Sequence, residues 1–313
     1  MADNLDKKIL STVCYYDVFD YPLTSFEIYK HIVEIKSDNE RREDESISIA
    51  DVWERMRESG LGRFIERKNG MYFLRGREDL VGQRIERDKI SVAKIKKLRK
   101  VVYFLRLVPF VRMIAVTGRL AMKNAKMDSD WDVLVAVKGG RIWMGRTLIT
   151  LVCHCLGKRR HHNKTKDRVC LNYFITADSL EIRNKDLFSA NEYFFCIPIF
   201  DAGKYFKKFQ LRNRWIRRYK PNYYLSESGN MKAVDDPYAV KFLRKLMEKI
   251  LDWNRLEDFL GKIELKKIEN NPNTKKEDGL IAADRKALIF LPEPQGPGVF
   301  EEFKRRINGL APD

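Results

Sequence analysis

The chain has 313 residues, of which 61 are Lys or Arg and 44 are Asp or Glu, and its formal net charge is +17 at pH 7. Apolar residues make up 44% of the chain, which excludes wholesale disorder. No apolar run reaches the ~18 residues of a membrane span, and the N-terminus lacks a signal-peptide core, so we expect no membrane anchor. Because the five cysteines form no regular framework, we expect reduced thiols and a cytoplasmic location.

The charge is unevenly divided along the chain. Residues 1–60 hold 8 Lys or Arg against 14 Asp or Glu, a net of −6, which leaves +23 for the other 253 residues. A basic body favours an anionic partner such as a nucleotide, a nucleic acid or an acidic surface, and the alternative is a solvated surface. At roughly 100–200 residues per domain, the length indicates two or three domains.

Residues 1–78 form the first predicted unit. Apolar residues at helical spacing predict helices over residues 5–19, 26–35 and 48–59. Thr24 and Ser25 follow Pro22 and provide the N-cap of the second helix. Between the second and third helices, the polar residues 36–46 predict a flexible insertion.

A hairpin follows these helices, because Asn69-Gly70 lies between two apolar runs. Three helices followed by a hairpin resemble a winged helix, which would read DNA through its third helix. That helix carries Asp51, Glu54 and Glu58, and the unit is acidic, whereas a reader of the major groove must neutralise phosphates. We therefore favour a protein-docking or scaffold role over DNA binding.

The second predicted unit, residues 79–185, alternates strands with helices, which indicates an α+β or α/β domain. It begins with a long basic linker helix over residues 79–107. Apolar runs predict strands over residues 110–117, 132–137 and 168–176, and helical spacing predicts helices over residues 120–125 and 141–157.

Residues 186–313 read as a mostly helical, basic C-terminal region. Helical spacing continues over residues 236–268, and a last amphipathic helix is predicted over residues 299–307. Residues 270–278 have the composition of a linker, and residues 292–298 that of an irregular segment.

The most informative stretch is VTGRLAMKNAKMDSDWDVLVAV, residues 116–137. Residues two apart on a strand face the same side, so Asp130 and Asp132 project together from the start of a strand. Two adjacent carboxylates repel unless a cation lies between them, which suits one or two Mg²⁺ ions. Gly118 ends the preceding strand and permits a close backbone approach, and the helix that follows it can face an anion.

These residues resemble the signature of the nucleotidyltransferase superfamily related to DNA polymerase β, in particular its minimal nucleotidyltransferase branch. That signature is a strand, Gly-Ser, a short helix and then Asp-x-Asp at the head of the next strand. Gly118 precedes Asp130 by twelve residues, as in the common form, and Asp128-Ser129 completes the usual Asp-Ser-Asp-x-Asp. The resemblance covers about residues 108–180.

The resemblance implies an α+β fold whose core is a polymerase-β-like mixed sheet with helices. It implies that Asp130 and Asp132 hold two Mg²⁺ ions, and that Gly118, Arg119 and Ser129 bind a nucleoside triphosphate. An acceptor hydroxyl would attack the α-phosphorus and pyrophosphate would leave. The acceptor class is open and includes nucleic acid, protein and small molecules.

Two departures from the family pattern keep a second function open. Arg119 stands where the family has Ser, and it can bind phosphate or fill the pocket. The family's third carboxylate falls on the strand at residues 168–176, whose central polar residue is Asn172, with Asp167 and Asp178 at its ends. The alternative is therefore a non-catalytic regulator, a pseudoenzyme that binds nucleotide or nucleic acid.

Two other clusters carry weaker signals. Cys153, His154 and Cys155, followed by His161 and His162, lack the spacing of a zinc site, so we predict core thiols and a basic loop. Residues 204–220 mix eight Lys or Arg with aromatic residues. That mixture suits either contact with single-stranded nucleic acid or a helix with an aromatic core face.

Overall fold

The computed structural model describes residues 2–35, 47–58, 60–161, 164–225 and 233–310, and its architecture is α+β. The insertion predicted at residues 36–46 lies outside the described residues. Among the described helices, none combines the length and apolar character needed to cross a membrane.

The N-terminal unit consists of helices α1 (Ala2–Asp17), α2 (Ser25–Lys30) and α3 (Ile49–Glu58) with strands β1 (Leu23–Thr24), β2 (Ile65–Lys68) and β3 (Met71–Leu74). In the described residues its strands form an antiparallel sheet in the order β1-β3-β2. The predicted order of helices and hairpin is thus present, and β1 is an addition that the sequence did not reveal.

Local interactions explain the start of helix α2 and the turn between strands β2 and β3. The Thr24 hydroxyl accepts a hydrogen bond from the Glu27 backbone N–H at 3.2 Å, while Glu27 Oε2 accepts one from the Thr24 N–H at 2.9 Å, a reciprocal capping box. At the hairpin, Asn69 and Gly70 have φ of 51° and 75°, the left-handed pair that a two-residue hairpin turn requires. The predicted N-cap and hairpin are both confirmed.

Helix α4 (Asp79–Leu105) leads to the larger sheet. The sheet's first three strands and their intervening helices are β4 (Val111–Val116), α5 (Gly118–Ala121), β5 (Trp131–Val137), α6 (Ile142–Cys155) and β6 (Val169–Thr176). Each predicted strand is present to within one residue at either end. The short helix begins at Gly118, two residues earlier than predicted.

The C-terminal region is less helical than predicted, because it adds strands to this sheet. Its elements are α7 (Leu187–Phe194), β7 (Ile197–Asp201), α8 (Tyr205–Arg212), α9 (Tyr238–Leu251), α10 (Asn254–Glu269), β8 (Leu280–Ala283), β9 (Ala287–Leu291) and α11 (Gln295–Asn308). Among described residues the sheet order is β7-β4-β5-β6-β9-β8, with only β5 and β6 parallel. The sheet therefore continues past residue 185.

Two helix predictions in this region need correction. The pattern at residues 236–268 is not one helix, because the chain breaks at Asp252 and Trp253 between α9 and α10. Helix α11 starts at Gln295 rather than at residue 299, since Pro297 is tolerated in the first turn of a helix. Phe303 of α11 is buried in the core of the N-terminal unit, so the two ends of the chain pack together.

Candidate functional site

The end of strand β4 brings the backbone close to a carboxylate. The Thr117 N–H donates to the Asp132 carbonyl at 3.1 Å, and Gly118 then turns with φ of 63°. A Cβ at Gly118 would lie only 3.1 Å from Asp132 Oδ2. Glycine is therefore favoured here both by the left-handed backbone and by the close approach of Asp132.

The loop that carries the aspartates is held by a buried lysine. Lys94 on α4 donates to the Ser129 carbonyl at 2.8 Å and to Asp167 Oδ1 at 3.0 Å. The Ser129 hydroxyl donates to the Lys126 carbonyl at 2.9 Å, so it stabilises its own turn. Lys97 contacts the other oxygen of Asp167 at 2.6 Å, and both lysines lower the pKa of that carboxyl despite its partial burial. Asp167 is thus a structural anion.

Asp130 and Asp132 converge as predicted, and a thiol joins them. Their carboxylate oxygens and the Cys170 sulfur all lie within 4.8 Å of one another. Arg160 Nη1 lies 2.7 Å from Asp130 Oδ2, as an ion pair without hydrogen-bond alignment, and 3.2 Å from Cys170 Sγ. We call Asp130, Asp132, Cys170 and the neighbouring Asn172 the carboxylate site.

Strand β6 supplies the second side of the carboxylate site. Cys170 of β6 lies opposite Asp132 of the neighbouring parallel strand β5. Asn172, the predicted third position, lies two residues further, and its Nδ2 is 3.5 Å from Asp132 Oδ1. Sequence reasoning missed Cys170, although the two-residue alternation along β6 puts Cys170 and Asn172 on one face.

The negative charge of this site is incompletely balanced. Burial, and then the charge of Asp130, raises the pKa of Asp132 to about 6, against the lowering effects of Arg160, Cys170 and Asn172. Burial and the two aspartates raise the pKa of Cys170 to about 12, so the sulfur is a neutral thiol at pH 7. An added cation would favour the ionised form of Asp132 and lower its pKa.

A third carboxylate, Glu192 on α7, lies close to this charge. Burial, and then the charge of Asp132, raises the pKa of Glu192 to about 7, while a hydrogen bond from the Thr117 side chain lowers it. In the described chain the group of converging metal-ligand atoms includes Asp130, Asp132 and Cys170 but not Glu192. Nothing in the local sequence of α7 singles out Glu192, which reaches the site only through tertiary packing.

Arg119 faces the N-terminal unit. Its guanidinium lies 6.0 Å from the ring centroid of Phe19. Burial, and then the charge of Arg87, lowers its pKa, with partial compensation by Asp20. Its buried Nη1 has no hydrogen-bond partner among the described residues. Arg119 on helix α5 is thus directed toward the N-terminal unit.

The remaining predicted positions lie elsewhere. Asp178 lies against Gly139, beyond the opposite ends of strands β5 and β6 from the carboxylate site. On α6, Cys153 is buried and Cys155 exposed, and His162 is outside the described residues. In residues 204–220, Phe206 and Phe209 are buried, as the core-face interpretation predicts.

The donors of the carboxylate site fit a hard divalent cation. Asp130 and Asp132 offer carboxylate oxygens, and Asn172 can offer an amide oxygen after rotation of its side chain, which are the ligand types that Mg²⁺ takes. The neutral Cys170 thiol does not suit Mg²⁺. Comparison of the chain with protein-family models, with curated proteins and with solved structures finds no match.

Proposed function

We propose that the protein is a nucleotidyltransferase, in which Asp130 and Asp132 hold Mg²⁺ and a nucleoside triphosphate donates its nucleotidyl group to an acceptor hydroxyl. The proposal is carried by one observation: two carboxylates converge beside a glycine whose lack of a Cβ allows the Asp132 carboxylate to approach its backbone closely. The spacing of Gly118, Asp130 and Asp132, and its resemblance to the polymerase-β-like superfamily, supplies the reaction class.

Each residue has a distinct part in this proposal. When bound, Mg²⁺ supplies charge stabilisation for the triphosphate and acidifies the acceptor hydroxyl. Asp130 and Asp132 hold the metal, and Gly118 lets the nucleotide approach their carboxylates. Arg160 neutralises Asp130 in the absence of metal and carries a charge that suits a phosphate oxygen once it is released. Asn172 orients Asp132 but, as an amide, accepts no proton.

A second candidate is a nucleotide-binding pseudoenzyme, and two observations favour it. Asn172 occupies the neighbourhood of Asp132 in which the family has a third carboxylate. Arg160 already pairs with Asp130, which opposes metal binding at that oxygen. In this case the protein binds nucleotide and metal but does not transfer a nucleotidyl group.

The test is incubation of the full chain with each labelled nucleoside triphosphate, Mg²⁺ and cell extract, with label transfer and pyrophosphate release as readouts. Asp130→Asn and Asp132→Asn are compared with Asp128→Asn, an exposed aspartate of the same loop that lies outside the converging group. The transferase proposal predicts loss of at least ~100-fold in both site variants and full activity in the control. Equal signals from the wild type and both site variants contradict it.

A binding measurement separates the two candidates. Titration with a non-hydrolysable triphosphate and Mg²⁺ gives saturable binding for either candidate. Such binding, together with no label transfer from the labelled triphosphates, identifies the pseudoenzyme. The absence of both binding and turnover removes both. Salt-sensitive nucleic-acid binding that survives Asp130→Asn and Asp132→Asn would instead favour the nucleic-acid-binding regulator.

A further inference from the structure

A cavity of about 820 Å³ lies between α6, α10 and strands β6, β8 and β9. This size is typical of a pocket for a small molecule. Its wall combines apolar side chains, including Leu151, Ile268 and Phe290, with a set of charged ones. We call it the basic cavity.

The charged side chains of the basic cavity are predominantly cationic. Arg146, Arg159, Arg160 and Lys267 line it, against Glu264 as the single carboxylate of the described lining. Glu264 lies 2.9 Å from Lys267 Nζ and 3.6 Å from Arg146 Nε. Glu264 is thus shared by two of the four cations, and Arg160 is paired with Asp130 outside the lining. The four cations therefore face two carboxylates, and the cavity keeps an excess of positive charge.

Arg146 is fixed in a position that leaves part of its donor capacity unused. Its guanidinium lies 4.1 Å from the ring centroid of Phe290 and close to Glu264, yet its buried Nη1 has no partner in the described chain. The buried Thr147 hydroxyl next to it also lacks a partner among those residues. Burial, and then the charge of Arg159, lowers the pKa of Arg146 to about 10, against the effect of Glu264. Because both atoms are buried, an anion in the cavity would reach the Arg146 donor only after the guanidinium turns toward it.

The basic cavity adjoins the carboxylate site. Arg160, Cys170 and Asn172 line the cavity, and the same three side chains contact Asp130 or Asp132. In the sheet order β4-β5-β6, Gly118 follows β4 and approaches the aspartates from one side. The cavity lies on the β6 side, and no residue of β4 or α5 lines it. The aspartates therefore lie between Gly118 and the basic cavity.

We propose that the basic cavity binds the acceptor, and that this acceptor is a small phosphate ester with a free hydroxyl. The inference rests on the proposed function, in which the nucleotide uses the Gly118 side. The phosphate interacts with Arg146, Arg159 and Lys267, and the hydroxyl extends toward Asp130 and Asp132. The acceptor oxygen forms a bond to the α-phosphorus, the bond to pyrophosphate breaks, and the hydroxyl proton passes to solvent.

The concave shape favours a small ester over a nucleic-acid end, since a polymer requires an extended basic track. The cavity instead has a limited volume and an apolar wall that includes Ile268, Ile281 and Pro292. A nucleic-acid acceptor is therefore the alternative outcome of the experiment below.

The experiment measures binding without nucleotide or metal, so that it does not depend on turnover. Glycerol 3-phosphate, ribose 5-phosphate and the nucleoside 5′-monophosphates are titrated, in the presence of a chelator, against glycerol, ribose and the nucleosides. We expect at least one ester to bind about tenfold or more tightly than its neutral parent. Arg159→Gln and Lys267→Gln, both at exposed positions, should each weaken that binding about fivefold.

Lys266→Gln is the matched control, because Lys266 is the exposed neighbour of Lys267 on α10 but does not line the cavity. It should leave ester binding unchanged. The proposal is overturned if no ester exceeds its neutral parent, or if Lys266→Gln weakens binding as much as Lys267→Gln. It is also overturned if, in the labelling assay with nucleoside triphosphate and Mg²⁺, the protein labels an oligoribonucleotide and none of the esters.

The design separates this inference from the proposed function. If ester binding follows the expected pattern while no nucleotidyl transfer occurs, the function fails and the anion site stands. If transfer depends on Asp130 and Asp132 but Arg159→Gln and Lys267→Gln leave ester affinity unchanged, the proposed function stands and the acceptor site fails.

Discussion

The raised pKa of Asp132 predicts a measurable penalty on stability in the absence of metal. The native pKa is about 6, against 3.8 for an unperturbed aspartate. Because the native state holds this proton more tightly than the unfolded state, the free energy of unfolding falls as the pH rises from about 4 to 7. At 1.36 kcal/mol per pH unit, full ionisation costs about 3 kcal/mol. Asp132→Asn removes that contribution.

The assay is urea unfolding of the metal-free wild type, Asp132→Asn and Asp128→Asn between pH 4 and 7.5. Relative to pH 4, the wild type should lose more stability at pH 7.5 than Asp132→Asn does, by about 2–3 kcal/mol. Glu192, whose pKa is raised to about 7 first by burial and then by the charge of Asp132, adds a fall of the same sign. Asp128→Asn retains that fall in full, and Asp132→Asn retains only the part that burial causes. Mg²⁺ should reduce the loss in the wild type and in Asp128→Asn, but not in Asp132→Asn. Identical pH profiles for the wild type and Asp132→Asn would refute the reasoning.

Two further predictions concern the support of the carboxylate site. Gly118→Ala and Gly140→Ala both place alanine at positive φ and should each cost about 1–2 kcal/mol in thermal unfolding. Only Gly118→Ala crowds Asp132, since a Cβ at Gly140 meets open space, so only Gly118→Ala should lose the increase in Tm caused by Mg²⁺; equal Mg²⁺ responses would contradict this. Lys94→Met removes the buried partner of Asp167 and should cost about 3 kcal/mol in urea unfolding. Lys97→Met, which removes the exposed partner, should cost at most about 1 kcal/mol, and equal losses would count against the buried role of Lys94.

The central strands and the aspartate pair were predictable because their signals are local. Strand β5 reads as an apolar run, and the two-residue alternation alone aligns Asp130 with Asp132. The same alternation on β6 places Asn172 and could have identified Cys170. In the N-terminal unit, Asn69-Gly70 specifies its turn through backbone preferences that need no tertiary context.

The rest of the site depends on long-range packing. Glu192 lies sixty residues beyond Asp132 in the sequence and reaches the same charge through the packing of α7. Arg160 lies in an irregular segment, where no periodicity predicts its direction. Strands β7 and β9 were missed because their sequences, IPIFD and ALIFL, are short enough to fit a strand or a helical turn equally well. These segments become strands because β7 pairs with β4 and β9 pairs with β6.

The most direct test of the central claim is a crystal structure with Mn²⁺ and a non-hydrolysable nucleoside triphosphate, in which anomalous scattering locates the metal. We expect an anomalous peak within bonding distance of both Asp130 and Asp132, with the triphosphate on the Gly118 side and Arg160 displaced from Asp130. Nucleotide bound elsewhere, with no peak at the two aspartates and Arg160 still paired with Asp130, would contradict it.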